Sequence, residues 1–299
     1  MKTAIVFGAN GYLGRNFAWF LKQQGYNAQL FGRQAASVDG YSNYRQLDIL
    51  NKEQLATVDF NVDFVFVLTG LNGTTLGFEK YEEFILTNEV GMLNILTCIK
   101  NSKSNARVIF PSTRLVYDEN NERTLHEDDK KKFNSIYALN KFFCENVLQI
   151  YANVFDIKYN TFRISVPYGN MVDSKYNYGT IAFFLKRALN KEDITIYGDG
   201  ENKRIFTHIA DILQIVFETI TRPDTVNQTY NIGGEALSLK EVANEIAAQT
   251  GVSVKQVEWP EIDLKIEAGN TVFNSDKLDT LLKFKYRHTF KKWATEVLT

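Results

Sequence analysis

The stretch Thr3-Ala4-Ile5-Val6-Phe7-Gly8-Ala9-Asn10-Gly11-Tyr12-Leu13-Gly14 decides how this chain is read. Its first five residues are an apolar run that stops at a glycine, as a strand buried on both faces does. From Tyr12 onward, Leu13, Phe17, Phe20 and Leu21 recur at helical spacing, and Gly25 supplies a C-terminal stop. Gly8, Gly11 and Gly14 therefore lie between a strand and a helix. Glycine is demanded there because the turn is tight, its backbone must come close to a pyrophosphate, and the helix must pack on the strand. The unpaired N–H groups at the helix start then favour the phosphate. This pattern points to a dinucleotide-binding βα unit contacted by Gly8, Asn10, Gly11, Tyr12, Leu13 and Gly14.

Strand and helix patterns alternate downstream. Strands are expected over 27–31, 44–49 and 62–68, the last being the strongest in the chain. A helix over 81–100, a strand over 107–110, a helix over 136–154 and a strand over 158–164 follow. Such alternation predicts an α/β fold, a Rossmann-type doubly wound parallel sheet with helices on both faces. Past residue 166 the pattern loosens into a polar loop, 168–178, a helix near 180–190, and shorter elements. One of these is a helix opened by Ser238-Leu239-Lys240-Glu241, which has the form of a capping box. The expected organisation is a dinucleotide-binding domain over 1–166, to which about 205–233 returns, and a smaller interleaved α+β substrate-binding domain over 167–299.

The 299 residues suit about two domains, and 44% hydrophobic with 23% charged residues excludes a disordered chain. A net charge of -1 argues against a general binder of nucleic acid or anionic membrane. Cys98 and Cys144 form no CxxC pair, and with three scattered histidines no metal-ligand spacing exists. The apolar start breaks at Gly8, too early for a signal peptide, and no run reaches the ~18 residues of a membrane span. A cytoplasmic protein is the expectation.

The end of the second strand bears on which dinucleotide binds. An acid there would accept from the adenosine ribose and favour NAD(H). Here Phe31-Gly32-Arg33 carries no acid, and a guanidinium suits the extra phosphate, so NADP(H) is expected ahead of NAD(H). Asp48 is a candidate acceptor for the adenine amino group.

Tyr137 and Lys141 stand one helical turn apart, on one face. Among 15 tyrosines such a pair is expected about once by chance, so placement gives it meaning. It opens the helix that follows the strand ending in Pro111-Ser112-Thr113. A phenol of pKa about 10 is a poor base at pH 7, but an adjacent ammonium favours its phenolate. Thr113, Tyr137 and Lys141 thus form a candidate set for hydride transfer to or from a secondary alcohol, with Tyr137 as acid–base group and Thr113 holding the oxygen.

Further stretches complete the picture: Asn88-Glu89-Val90-Gly91 with Asn94 and Leu96, Ser112 to Tyr117, Glu145 four residues beyond Lys141, Arg163 to Gly169, Gly198-Asp199-Gly200 to Arg204, and Phe206 to Asp211. With these the chain resembles, nearly end to end, the extended short-chain dehydrogenase/reductase family, above all its nucleotide-sugar epimerases, dehydratases and reductases. The resemblance implies Thr113, Tyr137 and Lys141 as the catalytic set. It adds Ile49, Leu68, Thr69, Gly70 and Asn88 to the cofactor contacts. It also implies Val166 and Arg204 at the substrate, Arg204 on its diphosphate, and a homodimer built on the two long helices. Family members that dehydrate or decarboxylate carry an acid directly after the catalytic hydroxyl, where this chain has Arg114-Leu115. Members acting on sugar nucleotides usually carry Asn where this chain has Val166. The expected activity is NADPH-dependent reduction of a 4-keto-6-deoxy sugar nucleotide. The alternatives are a nucleotide-sugar 4-epimerase with tightly held NAD and, from another class, a non-catalytic dinucleotide sensor.

Overall fold

The computed structural model describes residues 2–118, 123–173, 178–267 and 269–298. Its strands are β1 Thr3–Phe7, β2 Asn27–Gly32, β3 Tyr44–Gln46, β4 Phe64–Val67, β5 Arg107–Thr113 and β6 Lys158–Ile164. The later ones are β7 Val166–Tyr168, β8 Ile194–Tyr197, β9 Lys203–His208, β10 Gln228–Asn231, β11 Glu235–Ser238 and β12 Val254–Val257. The helices of the first half are α1 Tyr12–Gln23, α2 Lys52–Ala56, α3 Leu76–Glu79, α4 Tyr81–Phe84, α5 Gly91–Asn101 and α6 Ile136–Phe155. Those of the second are α7 Gly179–Leu189, α8 Ile209–Ile220, α9 Leu239–Thr250, α10 Glu261–Ile266, α11 Asp276–Leu282 and α12 Phe290–Leu298.

Seven strands form one sheet in the order β10-β6-β5-β4-β1-β2-β3. β1 pairs in parallel with β2 and β4, as do β2 with β3 and β4 with β5. The two-residue period of each strand sends side chains to opposite faces. On one face Ile5, Phe7, Val65 and Val67 pack with Met92, Ile95 and Leu96 of α5 and Leu148 of α6. On the other, Phe66 meets Phe17 of α1 at 5.1 Å between ring centres, and Phe20 of α1 meets Phe217 of α8 at 5.5 Å. Both faces are thus covered, which is the doubly wound arrangement. Burying one such phenylalanine contributes about 2–3 kcal/mol.

The chain falls into two compact units. The first comprises 1–116, 135–163 and 216–230; the second comprises 117–134, 164–215 and 231–299. The second holds a three-stranded sheet, β11-β9-β7, and the pair β12-β8, around a core that includes Tyr168, Phe184, Phe206 and Phe290. Two segments fall differently from the sequence expectation. Residues 117–134 belong to the second unit because Tyr117 Oη donates to Asn231 Oδ1 at 2.7 Å and Glu127 Oε1 accepts from Asn231 N at 2.8 Å. Residues 205–215 belong there too, β9 being paired with β11 and β7.

Several element boundaries also move. β3 stops at Gln46, since Leu47 N turns back to Gly32 O at 2.8 Å and Asp48 caps the following turn by accepting from Leu50 N at 2.9 Å. β5 runs on to Thr113, fully buried. The helix expected over 81–100 is interrupted by a wider π-type turn, Ile85–Val90. Tyr168, expected in a loop, is a buried strand residue of β7, while Tyr176 of that loop lies outside the described residues. The capping box at Ser238 and Glu241 forms as expected, with Ser238 N donating to Glu241 Oε2 at 2.7 Å. Among the described residues no helix is long and apolar enough to cross a membrane, and no cluster of side chains could hold a metal.

Candidate active site

Because their strands run parallel, Gly8 after β1, Arg33 after β2, Leu68 after β4 and Thr113 closing β5 all emerge at the same end of the sheet. β1 sits between β2 and β4, where the order of connection reverses. A crevice opens at such a point. Here it is a groove of about 280 Å³ lined by Gly8, Gly11, Arg33, Asp48, Ile49, Thr69 and their neighbours.

Glycine chemistry shapes the floor of that groove. Gly8 has φ of +84°, a region that disfavours any side chain, and a Cβ there would stand 2.7 Å from the Leu68 carbonyl carbon. A Cβ on Gly14 would lie 2.0 Å from Gly8 O, so only glycine lets α1 seat on the turn. Gly11 is less constrained, its nearest neighbour being Gly8 O at 3.3 Å. This is a cradle that side chains would fill, and it fits the pyrophosphate of a dinucleotide. Tyr12, Leu13 and Gly14 form the first turn of α1 behind it.

Asn10 does not reach freely into the groove. Its Nδ2 donates to Gln34 Oε1 at 2.6 Å and Ala36 O at 2.9 Å, and its Oδ1 accepts from Val38 N at 3.1 Å. It therefore ties the glycine turn to the loop after β2. Asn88 is similarly occupied: Oδ1 accepts from Leu71 N at 2.7 Å and Nδ2 donates to Leu71 O at 3.0 Å. Both act by fixing loops that line the groove. Ile49 is held from behind, since its carbonyl accepts from Asn94 Nδ2 at 3.1 Å.

Arg33 is exposed at the groove, and its guanidinium has no ion-pair partner among the described residues. Where an acid would end β2, the structure has Gly32, covered by Tyr44, whose Oη donates to Gln34 O at 2.8 Å. Gln34, Leu71 and Thr87 also line the groove, and sequence reasoning did not single them out. Gln34 could have been found as the neighbour of Arg33. Leu71 and Thr87 carry no local signal, because tertiary bonds from Asn88 bring their segments in.

Ser135 caps α6 by accepting from Ala138 N at 3.2 Å, placing Tyr137 in the first turn. One turn on, Lys141 Nζ donates to Pro111 O at 2.7 Å. It stands 4.5 Å from the Phe110 ring centre and 5.9 Å from that of Tyr137. Burial pushes its pKa down to about 8, against the raising influence of Cys144 and Glu145. Thr113 is buried, with its hydroxyl accepting from Leu115 N at 3.3 Å. The ammonium thus bridges the strand carrying Thr113 and the helix turn carrying Tyr137.

Beneath this lies a buried cluster that sequence reading left without a role. Glu145 accepts from Ser112 Oγ, from Arg163 Nε at 3.0 Å and from Arg163 Nη2 at 2.6 Å. Helix α6 is thereby fastened to β5 and β6 at once.

The remaining candidates lie in the second unit. Val166 is a half-buried residue of β7. Arg204 is not the open guanidinium that the resemblance implies: it is buried in β9 and bonded to Glu267 at 2.7 Å. His208 is a structural histidine, stacked 4.3 Å from His288, with Nδ1 accepting from Ala210 N at 3.2 Å. Burial and the neighbouring His288 lower its pKa to about 3.

A glycine cradle at the reversal point of a parallel sheet defines a dinucleotide-binding α/β protein. The chain belongs to the NAD dependent epimerase/dehydratase family, whose model matches residues 4–233. It is 28% identical over 276 residues to the UDP-N-acetyl-alpha-D-glucosaminuronate decarboxylase of Bacillus cytotoxicus, covering 87% of this chain and 84% of that protein. It is 24% identical over 275 residues to the CDP-paratose 2-epimerase of Salmonella typhi, covering 80% and 81%. The solved structure of DesIV, a dTDP-glucose 4,6-dehydratase from Streptomyces venezuelae with NAD bound, superposes with a TM-score of 0.87 at 20% identity, covering 99% of this chain and 95% of that one.

Two substitutions follow. Gly14→Ala lowers dinucleotide affinity about tenfold or more while Gly11→Ala has a smaller effect, read by quenching of intrinsic fluorescence. Arg163→Met leaves the Glu145 carboxylate buried without its cation and costs about 3–5 kcal/mol of stability, read by chemical denaturation.

Proposed function

We propose that this chain reduces the carbonyl at C4 of a 4-keto-6-deoxy sugar nucleotide, with Tyr137 as proton donor. The observation that carries this reading is the Lys141 ammonium, bonded to Pro111 O at 2.7 Å and 5.9 Å from the Tyr137 ring centre. When bound, a reduced nicotinamide dinucleotide supplies the hydride. Thr113 holds the carbonyl oxygen by its hydroxyl, and Tyr137 protonates that oxygen as the carbon is reduced. The phenolate left behind is stabilised by Lys141 until solvent restores its proton. A dehydratase or decarboxylase is disfavoured because Arg114-Leu115 supplies no acid beside Thr113. Val166 and Arg204 are assigned to the substrate, Arg204 to its diphosphate.

The cofactor in this reading is NADP(H) rather than NAD(H). Arg33 stands at the groove with no ion-pair partner among the described residues, and no carboxylate ends β2. A second reading, a nucleotide-sugar 4-epimerase with tightly held NAD, is favoured by the NAD bound in the Streptomyces venezuelae relative. Cys98 and Cys144 are free thiols, in keeping with a cytoplasmic setting. Leu139, Ile150 and Val154 leave an apolar face of α6 exposed by 46%, 54% and 63%, suited to a homodimer through the long helices.

One experiment tests the reaction: purified protein offered a panel of 4-keto and parent sugar nucleotides with NADPH or NADH, products resolved by mass and NMR. The expected outcome is consumption of a 4-keto substrate with NADPH preferred, a preference that Arg33→Ala erodes. Tyr137→Phe lowers kcat about 10²–10⁴-fold. Stoichiometric bound nicotinamide, none consumed while parent sugars interconvert, would establish the epimerase instead. For the assembly, Ile150→Glu with Val154→Glu converts a dimer to a monomer by light scattering. A wild-type monomer would refute the dimer.

A further inference from the structure

Arg204 sits near the start of β9 with only 7% of its surface exposed. Its Nη2 donates to Glu267 Oε2 at 2.7 Å, and the Glu267 side chain is itself only 13% exposed. The Nε–H of the same guanidinium is buried with no hydrogen-bond partner. One edge of this cation therefore meets a carboxylate, and another donor is left waiting for an acceptor. An unmet buried donor is uncommon and asks for an explanation.

The backbone on both sides of Glu267 is fixed. Glu267 N closes α10 by donating to Asp263 O at 2.9 Å. Beyond it, Asn270 Oδ1 accepts from Lys203 N at 2.6 Å and Thr271 N donates to Lys203 O at 3.0 Å. The carboxylate is thus presented to Arg204 by a connection anchored to α10 at one end and to β9 at the other. Its route of departure is rotation of its own side chain. Phosphate oxygens take a guanidinium by paired N–H bonds, the same donors that Glu267 now engages in part.

We infer that Glu267 is a built-in competitor for the anion site of Arg204. With no phosphate present, its carboxylate neutralises the buried guanidinium. When a phosphate of the nucleotide sugar arrives, the Glu267 side chain swings off and the phosphate takes the cation, Nε–H included. The inference rests on the assignment of Arg204 to the diphosphate made under Proposed function. Its consequence is that the guanidinium never stands uncompensated in a buried setting, a state that is strongly destabilising. A second consequence is weakened hold on the nucleoside diphosphate, since each binding event must first break an internal ion pair. Glu267 is therefore a determinant of substrate affinity and of product release.

Calorimetric titration of the full chain with UDP, CDP, dTDP and inorganic pyrophosphate tests this, the pyrophosphate serving as a probe independent of the base. Glu267→Gln should bind the tightest of these about tenfold or more tighter than wild type, and Glu267→Asp should fall between. Arg204→Met should bind weakly, and adding Glu267→Gln to it should restore nothing. Equal affinity in wild type and a folded Glu267→Gln variant, or no binding by that variant at all, overturns the inference. Should Glu267→Gln fail to fold, the Glu267→Asp comparison decides, unchanged affinity again overturning it. If Arg204→Met binds as wild type does, the diphosphate assignment itself falls. If Arg204→Met is weakened while both Glu267 variants match wild type, the competitor role alone falls.

Discussion

The carboxylate of Glu145 is the point on which the catalytic end of the molecule depends. It lies on α6, one turn beyond Lys141, and takes hydrogen bonds from Ser112 of β5 and from two nitrogens of Arg163 of β6. A helix packed on a sheet by apolar side chains alone can slide or roll a little at small cost. Three directed bonds to one buried anion remove that freedom, because any shift leaves charge unmet in a poorly solvating interior. The helix that carries Tyr137 and Lys141 is thereby held at one height and one rotation against the strand that carries Thr113. Apolar burial builds the unit; this cluster gives it the accuracy that hydride chemistry needs.

Cations near the site meet three different fates, and the differences are informative. Arg163 is buried and fully committed to Glu145. Arg204 is buried and partly committed to Glu267, with Nε unmet. Arg33 stays in solvent with no ion-pair partner among the described residues. Lys141 is bound to a neutral carbonyl, and burial makes its charge less secure than that of an ordinary lysine. Structural, exchangeable and ligand-seeking roles follow that order of commitment.

Much of this was readable from residues, for identifiable reasons. Strands such as 64–67 are apolar at every position, and Gly8, Gly11 and Gly14 are tied to backbone sterics that nothing else satisfies. Those are local constraints, and a sequence displays them. The commitments of polar side chains are not local. Asn10 and Asn88 look like cofactor contacts from their positions, yet both spend their amides on neighbouring loops. Arg204 looks like an open phosphate site until a residue 63 positions away reaches it. The same holds for residues 117–134, whose membership in the second unit is decided by a bond from Tyr117 to Asn231.

The wide turn at Ile85–Val90 escaped a reading based on a 3.6-residue period, and it places a constraint on the chain's history. One extra residue in a helix advances every later side chain by about 100°. Ahead of the turn, Phe84 is buried; within it, Asn88 grips Leu71 and its carbonyl accepts from Cys144 Sγ at 3.2 Å; after it, Gly91 abuts Ile49 and Ile95 and Ile99 fill the core. Excising one residue would restore regular winding yet rotate one flank against the other, so that either the Asn88 grip or the apolar stripe is lost. Point replacements in this turn are therefore open to drift, whereas a change in its length is barred unless a compensating one occurs within the same few positions.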